Sequence, residues 1–347
     1  LSHYRYNKLK DNWVIISPNR VRRPSDFELS SAEAYDVESP FVYGNEHKTP
    51  SEIYAIRDYG SKKDSPGWKV RVVPNKYNAL DIEKNPVSDF DGAYERMDGF
   101  GAHEIIIDTP KFPSKFQELS AEEVALVLKS ARDRVSDLQK DTRIKYVSVF
   151  KNQGALAGAS ISHPHTQIIG MPFIPKNILT EIEQSRKYFE STSRSLFRDT
   201  VKSELRTKTR IIEESDHFVS YCPYASFWPF ESIVALKEGG RDFTTLNDDS
   251  LLELSRILLS TVKRISMALK DVSYNIFLKT TPPKRDALTP NFYYKLDEFY
   301  GWHIEIAPRI PVIGGFELFS GVYINSVAPE ECAKFLRLLD VTHDVTR

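Results

Sequence analysis

The sequence predicts an α+β fold built twice from one unit, antiparallel strands plus one long amphipathic helix. Three observations carry this. Two long stretches keep helical spacing, residues 121–140 and Asp248 to Leu269. Each is followed by a strand of similar sequence, Tyr146-Val-Ser-Val-Phe-Lys151 and Tyr274-Asn-Ile-Phe-Leu-Lys279. Each of those strands leads to a second short run containing histidine: His163-Pro164-His165 in one copy, His303-Ile304-Glu305 in the other. The length agrees, since 347 residues suit two domains or one duplicated unit at roughly 100–200 residues per domain.

Taken in order, residues 1–65 read as irregular and rich in Pro, Ser and basic residues, with one strand, Trp13-Val-Ile-Ile16. Trp68 to Val73 alternates apolar with basic, as a half-buried strand does. His103 to Ile107 is a second apolar run. Ser120 and Glu123 form a capping-box pattern, and Val124, Leu128, Val135 and Leu138 continue the helix behind it. Tyr146 to Phe150 and His165 to Ile169 are the next strands, separated by a loop of small residues. In the second copy, His217 to Val219, Ile233 to Leu236, Tyr274 to Lys279 and His303 to Ile306 are strands, with Leu251, Leu254, Leu258, Val262 and Ile265 on the helix. Residues 329–339 read as a closing helix with Pro329 at its first position and two acids in its first turn. The division falls in the polar, helix-forming stretch Lys176 to Lys208, giving units over residues 1–195 and 196–347.

Composition narrows the function. Hydrophobic residues are 41% and charged residues 27%, enough for a sizeable core. Lys plus Arg is 47 against 48 Asp plus Glu, and this balance argues against coating nucleic acid or an anionic membrane. A local basic pocket for one anion stays open. No apolar run reaches the roughly 18 residues a membrane span needs. The opening LSHYRYNKLKDNW lacks the apolar core of a signal peptide. Only Cys222 and Cys332 are present, too few for a disulfide framework or a cysteine-rich zinc site. The expectation is a cytoplasmic protein without nucleic-acid or membrane partners.

The chemistry concentrates in Lys151-Asn-Gln-Gly-Ala-Leu-Ala-Gly158-Ala-Ser160-Ile-Ser-His163-Pro-His165-Thr-Gln167. A small-residue loop lets backbone N–H groups approach an anion, and Ser160 and Gln167 add neutral donors. On a strand, His165 and Gln167 share one face. An imidazole is largely neutral near pH 7 and suits attack on phosphorus, splitting one hard displacement into two easier ones. Its other nitrogen needs an acceptor, for which a carbonyl in the Pro-stiffened turn is placed. Histidines at i and i+2 also suit metal ligation or burial in a core, so spacing alone leaves these readings open.

The segment His163-Pro-His-Thr-Gln167, with Phe150-Lys-Asn-Gln-Gly154 and Gly158-Ala-Ser160 before it, resembles the active-site segment of the galactose-1-phosphate uridylyltransferase family, of the histidine-triad superfamily. The likeness extends to Trp13 to Pro24, to Val72 to Leu80 and to Tyr224 to Glu231, and its blocks run from about Arg5 to Leu336. It implies two histidine-triad-like units, the first catalytic and the second a degenerate copy. Gly314-Gly-Phe-Glu317 with Gly321-Val-Tyr-Ile-Asn325 is similar to the ADP-glucose phosphorylase branch. That branch implies cleavage of a nucleotide sugar by phosphate through a nucleotidyl-histidine, releasing sugar 1-phosphate. Carried over, His165 is the nucleophile, with Gln167 and Ser160 on the transferring phosphoryl group. Asn152 and Gly158 lie beside the phosphates, Asn75 and Tyr77 beside the nucleoside, and Arg20 and Arg23 beside the diphosphate. For these two arginines a solvated basic turn is the plain alternative. Gly315, Phe316 and Glu317 belong to the acceptor-side loop. Other readings are a UDP-glucose–hexose-1-phosphate uridylyltransferase, a dinucleoside polyphosphate phosphorylase and a catalytically inactive nucleotide-binding protein. A homodimer is among the partners the resemblance implies.

The metal pattern departs from the family. Ser39 and Val42 stand where many members carry a Cys-x-x-Cys pair, and Phe112 where they carry a downstream histidine; only His163 of that zinc set survives. Ser and Val cannot replace thiolates, so no structural zinc and no other cofactor is expected. At the second metal position of some members Glu181 and His303 remain, but Glu305 replaces a histidine. His47 and His103 offer only an improvised alternative. Without zinc, residues 30–65 must be held by packing, with Pro40, Phe41 and Tyr43 as candidates.

Overall fold

The structure is a computed structural model and describes residues 2–18, 39–240, 242–284, 292, 294–310 and 313–341. The first half contains β1 (His3–Asn7), β2 (Asn12–Ile16), β3 (Tyr54–Arg57), β4 (Trp68–Pro74), a hairpin of β5 (Ser88–Asp91) and β6 (Tyr94–Met97), β7 (Ala102–Ile107), α1 (Ala121–Leu138), β8 (Tyr146–Gln153) and β9 (His165–Met171). Two helices follow, α2 (Lys176–Thr192) and α3 (Leu196–Thr207). The second half contains β10 (Ile211–Glu214), β11 (Phe218–Tyr221), β12 (Ser232–Leu236), α4 (Asp248–Ala268), β13 (Tyr274–Lys279), α5 (Leu296–Phe299), β14 (His303–Pro308), α6 (Gly315–Ser320), β15 (Tyr323–Asn325) and α7 (Pro329–Arg337).

The predicted duplication is present, and its two sheets meet edge to edge. Ten strands form one sheet in the order β10-β11-β12-β14-β13-β8-β9-β7-β4-β3, and every pairing in it is antiparallel. Reading outward from the β8–β13 seam, both halves have the same strand order. Across the seam Phe150 faces Phe277. Phe150 also faces Gln167, and Phe277 faces Glu305. A local two-fold therefore passes between the two phenylalanines and maps Gln167 onto Glu305 and Asn152 onto Lys279. The sequence pairing of Lys151 with Lys279 is one residue out of register. Such a slip exchanges the faces of a sheet, and the two lysines do point to opposite faces.

Helices α1 and α4 pack on each other and on one face, where Val147, Val149, Ile276, Leu278, Ile304 and Ile306 are buried. The predicted cap is present: Ser120 Oγ accepts from Glu123 N–H at 3.1 Å, and Glu123 Oε2 accepts from Ser120 N–H at 2.9 Å. A small cavity of about 40 Å³ lies on this helix side, lined by apolar residues such as Val127, Leu258 and Ile276. The opposite face of the sheet carries His165, beside Phe41.

That opposite face is covered unevenly. Over the second half, Phe197 and Val201 of α3, with Leu9, pack on Val219, Tyr221 and Ile233. Near the seam, Ile178 and Ile182 of α2 and Phe299 of α5 pack on Tyr146. Over the first half the cover is the 39–64 segment. Phe41 is buried there, whereas Tyr43 is half exposed and lies edge-on to Trp68. Packing alone does not hold this segment: buried Arg71 binds Glu52 at 2.9 Å, Asp64 at 2.7 Å and Thr49 at 2.6 Å. Strands β1, β2 and β15 form a separate sheet in which β2 and β15 run parallel. Among the described residues, no helix is long and apolar enough to cross a membrane.

Candidate active site

The His-Pro-His turn enters β9 and is clasped by the end of β7. His163 Nε2 donates to the Thr109 carbonyl at 2.6 Å, Asp108 N–H donates to the Pro164 carbonyl at 3.2 Å, and Thr166 Oγ1 donates to Asp108 Oδ1 at 3.0 Å. From below, Lys151 Nζ donates to the His165 carbonyl at 2.8 Å and pairs with Asp108. The backbone at position 165 is thus fixed on both sides.

The side chains follow. His165 is 4% exposed, and its Nδ1–H donates to the His163 carbonyl at 2.8 Å, the acceptor expected from the turn. A carbonyl can only accept, so this bond fixes the tautomer and leaves the lone pair on Nε2. Burial lowers the ring's pKa, and the Lys151 ammonium lowers it further, so the free base is favoured. Phe41 lies edge-on to both ring systems, 5.7 Å from His163 and 5.8 Å from His165 between centroids.

His163 has its own enclosure. Because Nε2 donates to Thr109, Nδ1 must accept, and Ser39 Oγ–H lies 2.9 Å from it. Phe112 stacks on the ring at 5.3 Å and 10°. Burial holds the ring down to about 4. Two of the three positions where the family's zinc ligands are replaced therefore touch the surviving histidine. A metal there would need the lone pair that Ser39 occupies, from a set with one nitrogen and no thiolate. This set does not fit a tetrahedral zinc. Among the described residues no group of three or more His, Cys, Asp or Glu could hold a metal.

The remaining predicted residues divide into those near His165 and those elsewhere. Gln167 shares its face on β9 and has Oε1 3.0 Å from His103 Nε2. Asn75 Nδ2 lies 3.0 Å from the same nitrogen, and Asn75 Oδ1 accepts from Tyr77 N–H at 2.9 Å. Tyr77 is exposed. Asn152 Oδ1 accepts from Asn275 Nδ2 at 2.8 Å, and the same amide donates to the Ala157 carbonyl at 2.9 Å. A strand of the second half thus clamps the small-residue loop, whose Gly158 has φ +85°. Ser160 is exposed on that loop. Gly315, Phe316 and Glu317 lie on α6, beside the separate β1-β2-β15 sheet, and no described contact joins them to His165. Glu317 accepts from Gly314 N–H at 3.1 Å, and Phe316 is 48% exposed. Arg20 and Arg23 lie outside the described residues.

Sequence reasoning names His103 only as an improvised metal ligand and misses Asn275. Each sits in a strand whose partner is distant in sequence, so nothing local ties them to Gln167 or Asn152.

The symmetry-related position in the second half is closed. His303 and Glu305 correspond to His165 and Gln167, but Phe197 of α3 stacks on His303 at 4.7 Å. Glu305 binds Lys10 at 2.8 Å and Lys279 at 2.9 Å, Lys10 also binds Glu231 at 2.9 Å, and Lys279 pairs with Glu181. Burial alone would raise the Glu305 carboxyl, but the two lysines hold it below the usual range. An internal ammonium already stands between Glu181 and Glu305, so these residues do not fit a metal either. The fold repeats the His165 position, and in the second copy an aromatic stack and ion pairs occupy it.

A duplicated α+β sheet with one tautomer-fixed histidine in a His-Pro-His turn is the arrangement of a nucleotidyl-transfer enzyme. The sequence comparisons give the family: the model of the galactose-1-phosphate uridyl transferase N-terminal domain matches residues 1–175 and that of its C-terminal domain matches residues 181–344. The chain belongs to this family. The ADP-glucose phosphorylase of Arabidopsis thaliana is 31% identical over 344 residues, spanning 97% of this chain and 93% of that protein. The galactose-1-phosphate uridylyltransferase of Haemophilus influenzae is 26% identical, spanning 98% of this chain and 95% of that one. Among solved structures, an Arabidopsis thaliana ADP-glucose phosphorylase with bound ADP-glucose superposes with a TM-score of 0.82 at 29% identity, covering 98% of this chain and all of that one. A uridylyltransferase at 19% identity and a TM-score of 0.72 shares the fold.

Proposed function

We propose that the protein is a nucleotidyltransferase acting on a nucleotide sugar through a covalent bond to His165, with ADP-glucose as donor and phosphate as acceptor. The observation that carries this is the His165 ring: Nδ1–H is spent on the His163 carbonyl, which leaves the lone pair on Nε2. Similarity to the ADP-glucose phosphorylase of Arabidopsis thaliana supports the choice of donor.

In the first step Nε2 attacks the α-phosphorus, the bond from phosphorus to the bridging oxygen breaks, and sugar 1-phosphate leaves. The ring becomes cationic, and the His163 carbonyl stabilises the Nδ1–H that remains. In the second step a phosphate oxygen attacks the same phosphorus, the P–N bond breaks onto Nε2, and a nucleoside diphosphate departs. In this reading the Gln167 amide and the backbone of the 154–160 loop meet the charged oxygens, and Asn75 holds the nucleoside side. Lowering the ring's pKa keeps the base free, so the first step needs no proton removal.

Incubation with α-labelled ADP-glucose tests this. The wild type should acquire acid-labile, alkali-stable label, and His165→Asn should lose the label while still binding the nucleotide. Full turnover by His165→Asn removes the nucleophile assignment. Label from UDP-glucose with galactose 1-phosphate as acceptor would select the uridylyltransferase reading. Binding without label from any nucleotide sugar would select an inactive binder.

We also assign the work of a structural zinc to the Ser39–His163–Thr109 hydrogen bonds and the Phe112 stack. Metal analysis of purified protein should find far less than one zinc per chain, and a stoichiometric content overturns this assignment.

A further inference from the structure

We infer that His103 is a positioning residue for the transfer step: its Nε2–H turns the Gln167 amide so that the NH2 group, not the oxygen, faces the phosphoryl group. The inference rests on the proposed role of Gln167 and adds a residue to it. Gln167 can stabilise an anionic oxygen only with its two N–H donors. Its carbonyl oxygen must then be turned away and held, and His103 Nε2 stands 3.0 Å from it. That contact is a hydrogen bond only if Nε2 carries the proton. Nδ1 is then a bare lone pair, and it is buried without a partner. The opposite tautomer would bury an unmet N–H donor and set two lone pairs against each other, which is the costlier arrangement.

Asn75 makes the arrangement more than a static support. Its Nδ2 lies 3.0 Å from the same Nε2, while its Oδ1 is held by the Tyr77 N–H. A nitrogen that donates to Gln167 cannot also accept from Asn75. One ring atom is therefore contested by two amides, one on the nucleoside segment and one beside the nucleophile. A nucleoside that engages the Asn75 amide ends the contest and leaves Nε2–H to Gln167. Occupancy of the nucleoside position and aim of the phosphate-facing amide are coupled through a single imidazole. His103 touches neither phosphorus nor nucleophile, so its effect falls mainly on the transfer rate, and the single amide contact it makes with Asn75 changes affinity by no more than about a few-fold.

Three substitutions separate this from a structural role. His103→Phe keeps the ring volume without a donor, His103→Gln places an amide N–H near the Nε2 position, and His103→Asn places one near Nδ1. The readouts are the single-turnover rate of label transfer from α-labelled ADP-glucose to the protein and the Kd of ADP-glucose by calorimetry. His103→Phe should slow labelling about 10- to 100-fold, with affinity close to wild type. His103→Gln should restore most of the rate and His103→Asn should not. Wild-type rates in His103→Phe overturn the inference, as does a His103→Gln protein as slow as His103→Phe. If His103→Phe does not fold, the Gln and Asn pair decides, since a packing role would not favour the amide at one position. A wild-type protein that takes no label overturns the nucleophile reading itself, and that outcome is distinct from labelling that His103 does not influence.

Discussion

Lys151 shows how much one residue of register decides. Its strand reads as a lysine-ended copy of Tyr274–Lys279, yet Lys151 turns to the helix side and is 3% exposed. There it pairs with Asp108 and donates to the His165 carbonyl. Burial lowers its pKa, with Asp108 opposing that shift. Removing one partner of a buried ion pair strands the other charge, which costs about 3–5 kcal/mol. Lys151→Met should therefore lower unfolding stability by that order in urea titration. Lys151→Met combined with Asp108→Leu should cost less than the sum of the single changes. Additive losses would show that the pair is not coupled. The tautomer of His165 was legible from sequence because its acceptor lies two residues away. The charge beneath it was not, because its three parts come from the residue after β7, from β8 and from β9.

At the scale of elements, legibility followed length and local chemistry. Helices α1 and α4 could be read from their apolar spacing, and the start of α1 from Ser120 and Glu123, which form both reciprocal bonds. The turn at Pro329 is where the sequence places it. Strands β3, β10 and β15 have only 4, 4 and 3 residues, too few for alternation to register. The 39–64 segment reads as irregular because its order comes from charge: Arg71 gathers Glu52, Asp64 and Thr49 from three points along it. Charged residues in an unpatterned stretch look like surface until their partner strand is known. The 315–317 expectation stands apart from the other site residues for a reason of topology. The motif is present, but β15 pairs with β2 and carries α6 to a different sheet from His165.

The whole molecule repeats a unit without dividing into two independent bodies. The seam is a full strand pairing from Tyr274–Gln153 to Leu278–Val149, and α1 and α4 form a shared layer joined by Ser255 Oγ donating to the Ala121 carbonyl at 2.7 Å. A continuous sheet under one helix layer should unfold as one cooperative unit. The two thiols report on it. Cys222 follows β11 and Cys332 lies on α7; both are buried, at 0% and 1% exposure, and both are free. Burial pushes the Cys332 thiol up to about 12 and raises Cys222 as well. The unfolded thiols ionise near about 8.5, so the folded state holds protons that the unfolded state loses above that pH. The stability linked to these thiols is therefore complete below about 8.5 and declines as pH rises toward 12. At pH 8 an aromatic disulfide reagent should find no reactive cysteine in the native protein. In rising urea, both thiols should become reactive across the same transition that far-UV circular dichroism records. A thiol that reacts well before the loss of helical signal would mean that α7 and the β11 end open on their own, and that the two halves are not one cooperative body.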